Sequence, residues 1–342
     1  MIASRLKHPI FLLWLAFGLL LISLVFGISM GAVRIPFFTT VGWLLGMDNG
    51  LSDSQRAILY ELRMPRVLTA IIVGSSLAAA GVGFQGLFRN VLAEPYIIGA
   101  SSGAALGVAI VIVLNVNAMF MGVGAPALAA LLGSVGIVSL VFLVGALGRG
   151  SSQLSLLLSG VAISSLANAA VSLLLFLNNQ KAMVIVSWLM GSISSSTWSS
   201  TAISGAIGGL GVAILWSRSR ALDAYMLGDT ASTSLGLDLL RFRLWMIAGG
   251  SLATAAAVSS AGIVGFVGLV APQIARMLVG PKHSYLIPMS VFCGGIVMLL
   301  ADVFARSLNA SLELPVGVLT ALLGGPFFFA LLMTRSSSRA LS

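Results

Sequence analysis

Charge is what this 342-residue chain has least of: eighteen Lys and Arg and nine Asp and Glu make 8% of it, against 58% hydrophobic residues. A soluble domain carries about 25% charged residues, and no soluble fold hides this much apolar surface. With a mean hydropathy of +1.09, lipid must cover the chain, so its class is an all-α polytopic membrane protein. Cysteine is nearly absent: Cys293 stands alone, which excludes an intrachain disulfide and a Cys-based metal centre. No G-x-x-x-x-G-K-[ST] phosphate loop occurs, so the chain does not itself hydrolyse nucleotide. The two histidines, His8 and His283, fall near the ends of apolar runs. Gly99-Ala-Ser101-Ser-Gly103 has the spacing of a nucleophile elbow, but that motif needs a strand–turn–helix setting and a histidine base. Here it opens an apolar run, so helix packing is the better reading. No catalytic group, metal site or cofactor is expected.

Mid-membrane acids are scarce as well. Asp48, Asp53, Glu61, Glu94, Asp223, Asp229, Asp238, Asp302 and Glu313 fall almost entirely in loops or at span ends, which argues against a buried coupling-ion site. A chain with neither an ion site nor a phosphate loop must draw energy from a partner; the alternative is a carrier run by an ion gradient.

Hydrophobic runs supply about ten spans of roughly 20 residues each. They lie near Ile10–Met30, Arg66–Gly86, Tyr96–Leu114, Met121–Leu147 and Leu154–Leu177, then Trp198–Trp216, Leu244–Ser260, Ile263–Val279, Tyr285–Val303 and Val316–Met333. The first follows Arg5 and Lys7 and is too long for a secretory signal. With both termini cytoplasmic, Arg5, Lys7, Arg89, Arg149, Arg218, Arg220, Arg241, Arg243, Arg276, Lys282, Arg335 and Arg339 lie inside. Arg34, Arg56, Arg63, Arg66, Lys181 and Arg306 lie outside. Cytoplasmic loops collect Lys and Arg, so this bias sets the orientation and explains the net charge of +9 without nucleic acid.

The segment Arg66–Ala80 aligns without gaps with Arg241–Ala255: an arginine enters a span, then small residues surround Leu77 or Leu252. Five spans separate them, so a repeat would be inverted, with pseudo-halves of about 1–180 and 181–342 inside one domain, 1–342. Chance likeness of two small-rich helices is the competing explanation. Gly99, Gly103 and Gly107 recur at the spacing that lets helix backbones approach closely.

Two places invite partners. The connection 217–240 holds Leu227-Gly228-Asp229 and Leu235-Gly236, with Asp229 as an expected N-cap and Gly236 as an expected helix end. It reads as a rigid knob or as an ordinary structured loop. On the other side, Arg63 and Arg66 flank Met64-Pro65 at a span mouth, suited to an acidic partner or to lipid headgroups.

These residues resemble the FecCD-type permeases of ATP-binding-cassette importers. The matching blocks are Leu62-Arg63-Met-Pro65-Arg66, Asn90-Val-Leu-Ala-Glu94-Pro95, Gly99 to Gly103, Trp188-Leu-Met-Gly191-Ser and Leu227-Gly228-Asp229 to Leu235-Gly236. Further blocks are Gly265-Phe-Val-Gly268-Leu-Val-Ala-Pro272, Ala301-Asp302-Val-Phe-Ala-Arg306 and Glu313-Leu-Pro315-Val-Gly317. The resemblance implies ten spans in the bacterial inner membrane and a second permease subunit, identical or paralogous, around one pathway. It implies two ATPase subunits meeting Leu227, Gly228, Asp229, Leu235 and Gly236. A periplasmic or lipid-anchored binding protein would dock on Arg63, Arg66 and Arg306. Ser159, Ser164, Ser165, Asn168 and Ser172 on the fifth span would be pathway candidates. The expected cargo is a ferric siderophore, with haem or cobalamin as alternatives. Two positions depart from the family pattern: Val91 stands where Pro is usual and Gln273 where His is frequent.

Overall fold

The computed structural model describes residues 8–31, 33, 35–47, 50–147, 153–307 and 313–339, with the side chains of 146, 147, 153, 328 and 330–339 set aside. Arg5, Lys7, Arg34, Asp48 and Arg149 lie outside the described residues, as do the side chains of Arg335 and Arg339. Apolar composition this high leaves the backbone with no water to bond, so helices dominate. In chain order they are α1 (Pro9–Ser29), α2 (Phe37–Leu44), α3 (Asp53–Ala57), α4 (Met64–Leu87), α5 (Ala100–Val113), α6 (Ala125–Leu147), α7 (Gln153–Leu177) and α8 (Asn179–Leu189). Then come α9 (Trp198–Ser217), α10 (Ser219–Tyr225), α11 (Asp229–Ser234), α12 (Leu239–Ala261), α13 (Val267–Val279), α14 (His283–Ser307) and α15 (Val316–Arg339). A π-helical stretch, Ile58–Arg63, runs into α4, and Met119–Phe120 pairs with Val123–Gly124 in a two-stranded hairpin.

Among the described residues, seven helices are long and apolar enough to span a bilayer, and three shorter apolar helices, Ala100–Val113, Val267–Val279 and Val316–Phe327, complete the ten expected runs. The third, fourth and eighth runs are corrected at their starts. The sequence placed them at Tyr96, Met121 and Ile263, whereas the helices begin at Ala100, Ala125 and Val267, the hairpin taking 119–124. At 14 and 13 residues the third and eighth reach only about 20 Å at 1.5 Å per residue, short of the roughly 30 Å hydrocarbon layer. Non-helical backbone, 90–99 and 262–266, supplies the remaining depth.

The centre is formed by α4, α12 and α14, whose apolar windows are 78%, 67% and 67% buried, whereas those of α1, α6 and α7 are 17–22% buried and face outward. Glycine permits the central packing. A Cβ on Gly74 would overlap the carbonyl of Gly294 in α14, and one on Gly81 would overlap that of Gly268 in α13. Gly103 and Gly107 press in the same way on Gly133 and Ala129 of α6. Gly99 differs: it sits before the helix at φ +85°, where a side chain is strained.

Contacts fix which ends share a face. Trp198 Nε1 donates to the Tyr60 carbonyl at 3.1 Å, Thr69 and Thr201 hydroxyls lie 2.7 Å apart, and Ser204 bonds Ser260. The starts of α4 and α9 therefore lie with the end of α12, on what is called below the Arg66 face. The end of α4 lies with α10, α11 and the start of α12, on the Asp229 face. Arg66 and Arg241 thus open antiparallel helices. α4 packs on α13 and α14, and α12 packs on α5 and α6.

Candidate functional site

On the Asp229 face, α10 and α11 form a compact knob. Asp229 is not the N-cap expected from sequence; Gly228, at φ +107°, holds that position and Asp229 is the first helical residue. Its carboxylate is taken elsewhere. Arg89 Nη2 donates to Oδ1 at 2.6 Å and Arg243 Nη2 to Oδ2 at 2.8 Å. Arg89 also bonds the Tyr225 carbonyl at 2.7 Å, and its guanidinium lies 4.3 Å from the Tyr225 ring centroid. Tyr225 is fully buried against Phe242, and Ser232 ties α11 to α10 through the Ala224 carbonyl. The cap is supplied one helix later: Asp238 accepts from the Leu240 and Arg241 amides at the start of α12. Gly236, at φ +83°, ends α11 as expected, with its N–H on the Thr233 carbonyl. Leu227 and Leu235 are left 67% and 66% exposed on this rigid base.

Arg89 was visible in the sequence only as an inside charge. Its partner lies 140 residues away, and nothing local signals the pair.

On the Arg66 face, the three arginines have different employment. The C-terminal carbonyls of α1 have no helical partners and carry partial negative charge. Arg63 donates to Ile28, Ser29 and Val33, and Arg306 to Met30 and Gly27. Arg63 is 6% exposed and the Arg306 side chain likewise 6%. Arg66 pairs with fully buried Asp302 at 2.9 Å and with Glu313 at 3.0 Å; Glu313 is 47% exposed, so this pair forms the rim. Arg63→Ala should strand two or three buried carbonyls, at about 1–3 kcal/mol each. The expected result is a clearly lower thermal midpoint in detergent, with Arg63→Lys recovering part of it.

On α7, the 100° step per residue settles which polar residues share a face. Ser164, Ser165, Asn168 and Ser172 fall within about 100° of arc, and Ser159 lies on the other side. Ser165, Asn168 and Ser172 are exposed, whereas Ser159 and Ser164 are half-buried. Ser165 and Ser172 hydroxyls bond carbonyls four residues back, which leaves a weakly polar stripe.

The two departures from the family pattern meet. Gln273 Nε2 donates to the Val91 carbonyl at 3.2 Å, so the amide holds the turn that proline would stiffen.

Among the described residues, seven spanning helices and three shorter apolar ones, with polar stations on both faces and a weakly polar outward stripe, define an all-α membrane protein. The chain belongs to the FecCD transport family, which matches residues 19–334, and is therefore a permease subunit of the ATP-binding-cassette type. It is 36% identical to the hemin transport system permease protein HmuU of Yersinia pestis, over 95% of this chain and 97% of that one. It is also 36% identical to the cobalamin import system permease protein BtuC of Halobacterium salinarum, covering 86% and 79%. A solved transporter assigned to the metal-chelate ABC type, in an inward-facing conformation, superposes with a TM-score of 0.83 at 34% identity, over 94% of this chain and 99% of the other.

Proposed function

We propose that this chain forms half of the membrane pathway of an importer for a metal chelate, an iron chelate in the first instance. Two ATPase subunits meet the Asp229 face, and a periplasmic or lipid-anchored binding protein meets the Arg66 face. The observation that carries this is the knob itself: Asp229 clamped by Arg89 and Arg243, presenting Leu227 and Leu235 to a partner. A lever works only if it is stiff, and two ion pairs and a buried tyrosine make it so. Leu227, Gly228, Asp229, Leu235 and Gly236 are the coupling residues in this reading.

At the other face, Arg66 stands at the rim, where an acidic residue of the binding protein would compete with half-exposed Glu313 for its guanidinium, and Arg63 and Arg306 hold α1 beneath it. The bias of basic residues toward the Asp229 face supports placing that face, and both termini, in the cytoplasm of the bacterial inner membrane. The swapped packing of α4 and α12 supports two inverted pseudo-halves within one domain. A second permease subunit, identical or paralogous, would face the α7 stripe across the pathway.

Relatives whose names specify hemin, cobalamin, iron chelatin and molybdate all stand at 36–38% identity. Walls of small and weakly polar residues fit that breadth, and selectivity then lies with the binding protein. Haem is the second reading, on the strength of the Yersinia pestis relative. Uptake of ferric siderophore, hemin and cobalamin into vesicles holding the assembled complex decides among them. In the same assay Asn168→Trp should block uptake and Ser159→Trp should leave most of it. Equal effects of the two would remove α7 from the pathway.

A further inference from the structure

Two stretches of backbone lie among the packed helices without being helical, and they touch. The first, 90–99, leads into α5; it turns through Ala93 N–H on Asn90, Ile97 N–H on Glu94 and Gly99 N–H on Tyr96. The second, 262–266, leads from α12 into α13. Tyr96 Oη donates to the Val264 carbonyl at 2.9 Å and accepts from the Val264 N–H at 3.2 Å. One hydroxyl thus satisfies both polar groups of a residue that has no helical partners. The Glu94 carboxyl lies toward the Phe266 N–H, which places an acid at the start of α13, where the helix dipole favours it. Phe266 itself has φ +65°, a conformation a bulky residue keeps only when its surroundings fix it. Sequence reasoning counted Glu94 as a loop acid; the loop runs inside the bundle.

Each stretch is anchored at its far side to one of the two faces. Residues 90–99 start beside Arg89, which grips Asp229. α13 runs back to the same face, where Arg276 bonds Gln85 at 3.3 Å. The 262–266 stretch is held from the Arg66 side. Ser192 N–H donates to the Ala261 carbonyl at 2.8 Å, and a Cβ on Gly191 or Gly317 would run into the Ile263 carbonyl. Gly191 follows α8 and Gly317 opens α15. Helices transmit motion as rods, so displacement between them concentrates in such non-helical joints.

We propose that Glu94 and Tyr96 are positioning residues of a joint through which movement of the Asp229 knob reaches α8 and α15 on the Arg66 face. The inference rests on the importer reading given above. The joint binds no cargo and catalyses nothing; it keeps the two faces in step.

The test uses the full complex in lipid vesicles with its ATPase and loaded binding protein, reading ATP hydrolysis and chelate uptake on the same preparation. Tyr96→Phe keeps the ring and removes the bridge to Val264. Uptake should fall about tenfold, within the range usual for coupling between sites, and stimulation of hydrolysis by the loaded binding protein should be lost, while basal hydrolysis, read without the binding protein, stays within about twofold of native. Glu94→Ala should do the same. Glu94→Gln, which keeps an acceptor oxygen facing Phe266, should stay near native in both readouts. A fall of basal hydrolysis in proportion to uptake would overturn the proposal, and so would native uptake in both Tyr96→Phe and Glu94→Ala. If Tyr96→Phe does not assemble, the Glu94→Ala and Glu94→Gln pair decides alone. A native complex whose hydrolysis ignores the binding protein would refute the importer reading instead, which separates the two failures.

Discussion

Asp229→Arg is expected to cut ATP-driven uptake by at least about tenfold, the equivalent of 1.4 kcal/mol in coupling, while the protein still inserts and purifies. The carboxylate bridges Arg89 and Arg243, whose side chains are 28% and 8% exposed. Replacing it with a cation gathers three guanidinium groups around Tyr225 and releases α11 from the end of α4. Asp229 itself is 46% exposed, so solvent screens much of the stability loss. The damage should therefore appear in function before it appears in folding. Asp238→Asn is the matched control. Asn caps a helix about as well as Asp, so the start of α12 keeps its cap and uptake should stay close to native. Co-purification of the ATPase, followed by vesicle uptake, reads both variants. A native rate in Asp229→Arg would remove the knob from the coupling path.

Gly81→Leu should give no folded permease at all, a cost above about 4 kcal/mol. Gly81 and Gly268 bring α4 and α13 into backbone contact, and a single Cβ already overlaps the Gly268 carbonyl. Neither helix can retreat, because α4 is also pressed against Gly294 through Gly74, and Gly268 is covered by Pro95. Gly136→Leu adds the same side chain where nothing lies within 4 Å, on an exposed position of α6. It should cost little. Yield and monodispersity in detergent compare the two directly.

Those glycines also show what a single chain reveals. Ten apolar runs were countable because bilayer thickness sets a length, and small residues marked close packing without saying on what. The third and eighth runs were read as helices from Tyr96 and Ile263 because apolar composition does not distinguish helix from buried non-helical backbone. Their true starts depend on Tyr96 meeting Val264 and Glu94 meeting Phe266, contacts 168 and 172 positions apart along the chain. α8 lay hidden in the connection between the fifth and sixth runs because it is too short to read as a span.

Arg63 and Arg306 stood out in the sequence as cations that the charge bias does not account for. Their use on the carbonyls of α1 is a tertiary fact, since Arg306 lies 276 residues from Met30. At Asp229 the local preference for an N-cap lost to two arginines from other helices. The acid was legible; its employer was not.

The most direct test of the whole account is chelate uptake into vesicles that contain this permease with its ATPase and loaded binding protein, measured with and without ATP inside an otherwise ion-balanced system. The account predicts uptake that requires ATP on the Asp229 face and binding protein on the Arg66 face. Uptake by this chain alone, driven by an ion gradient and indifferent to ATP, would contradict it.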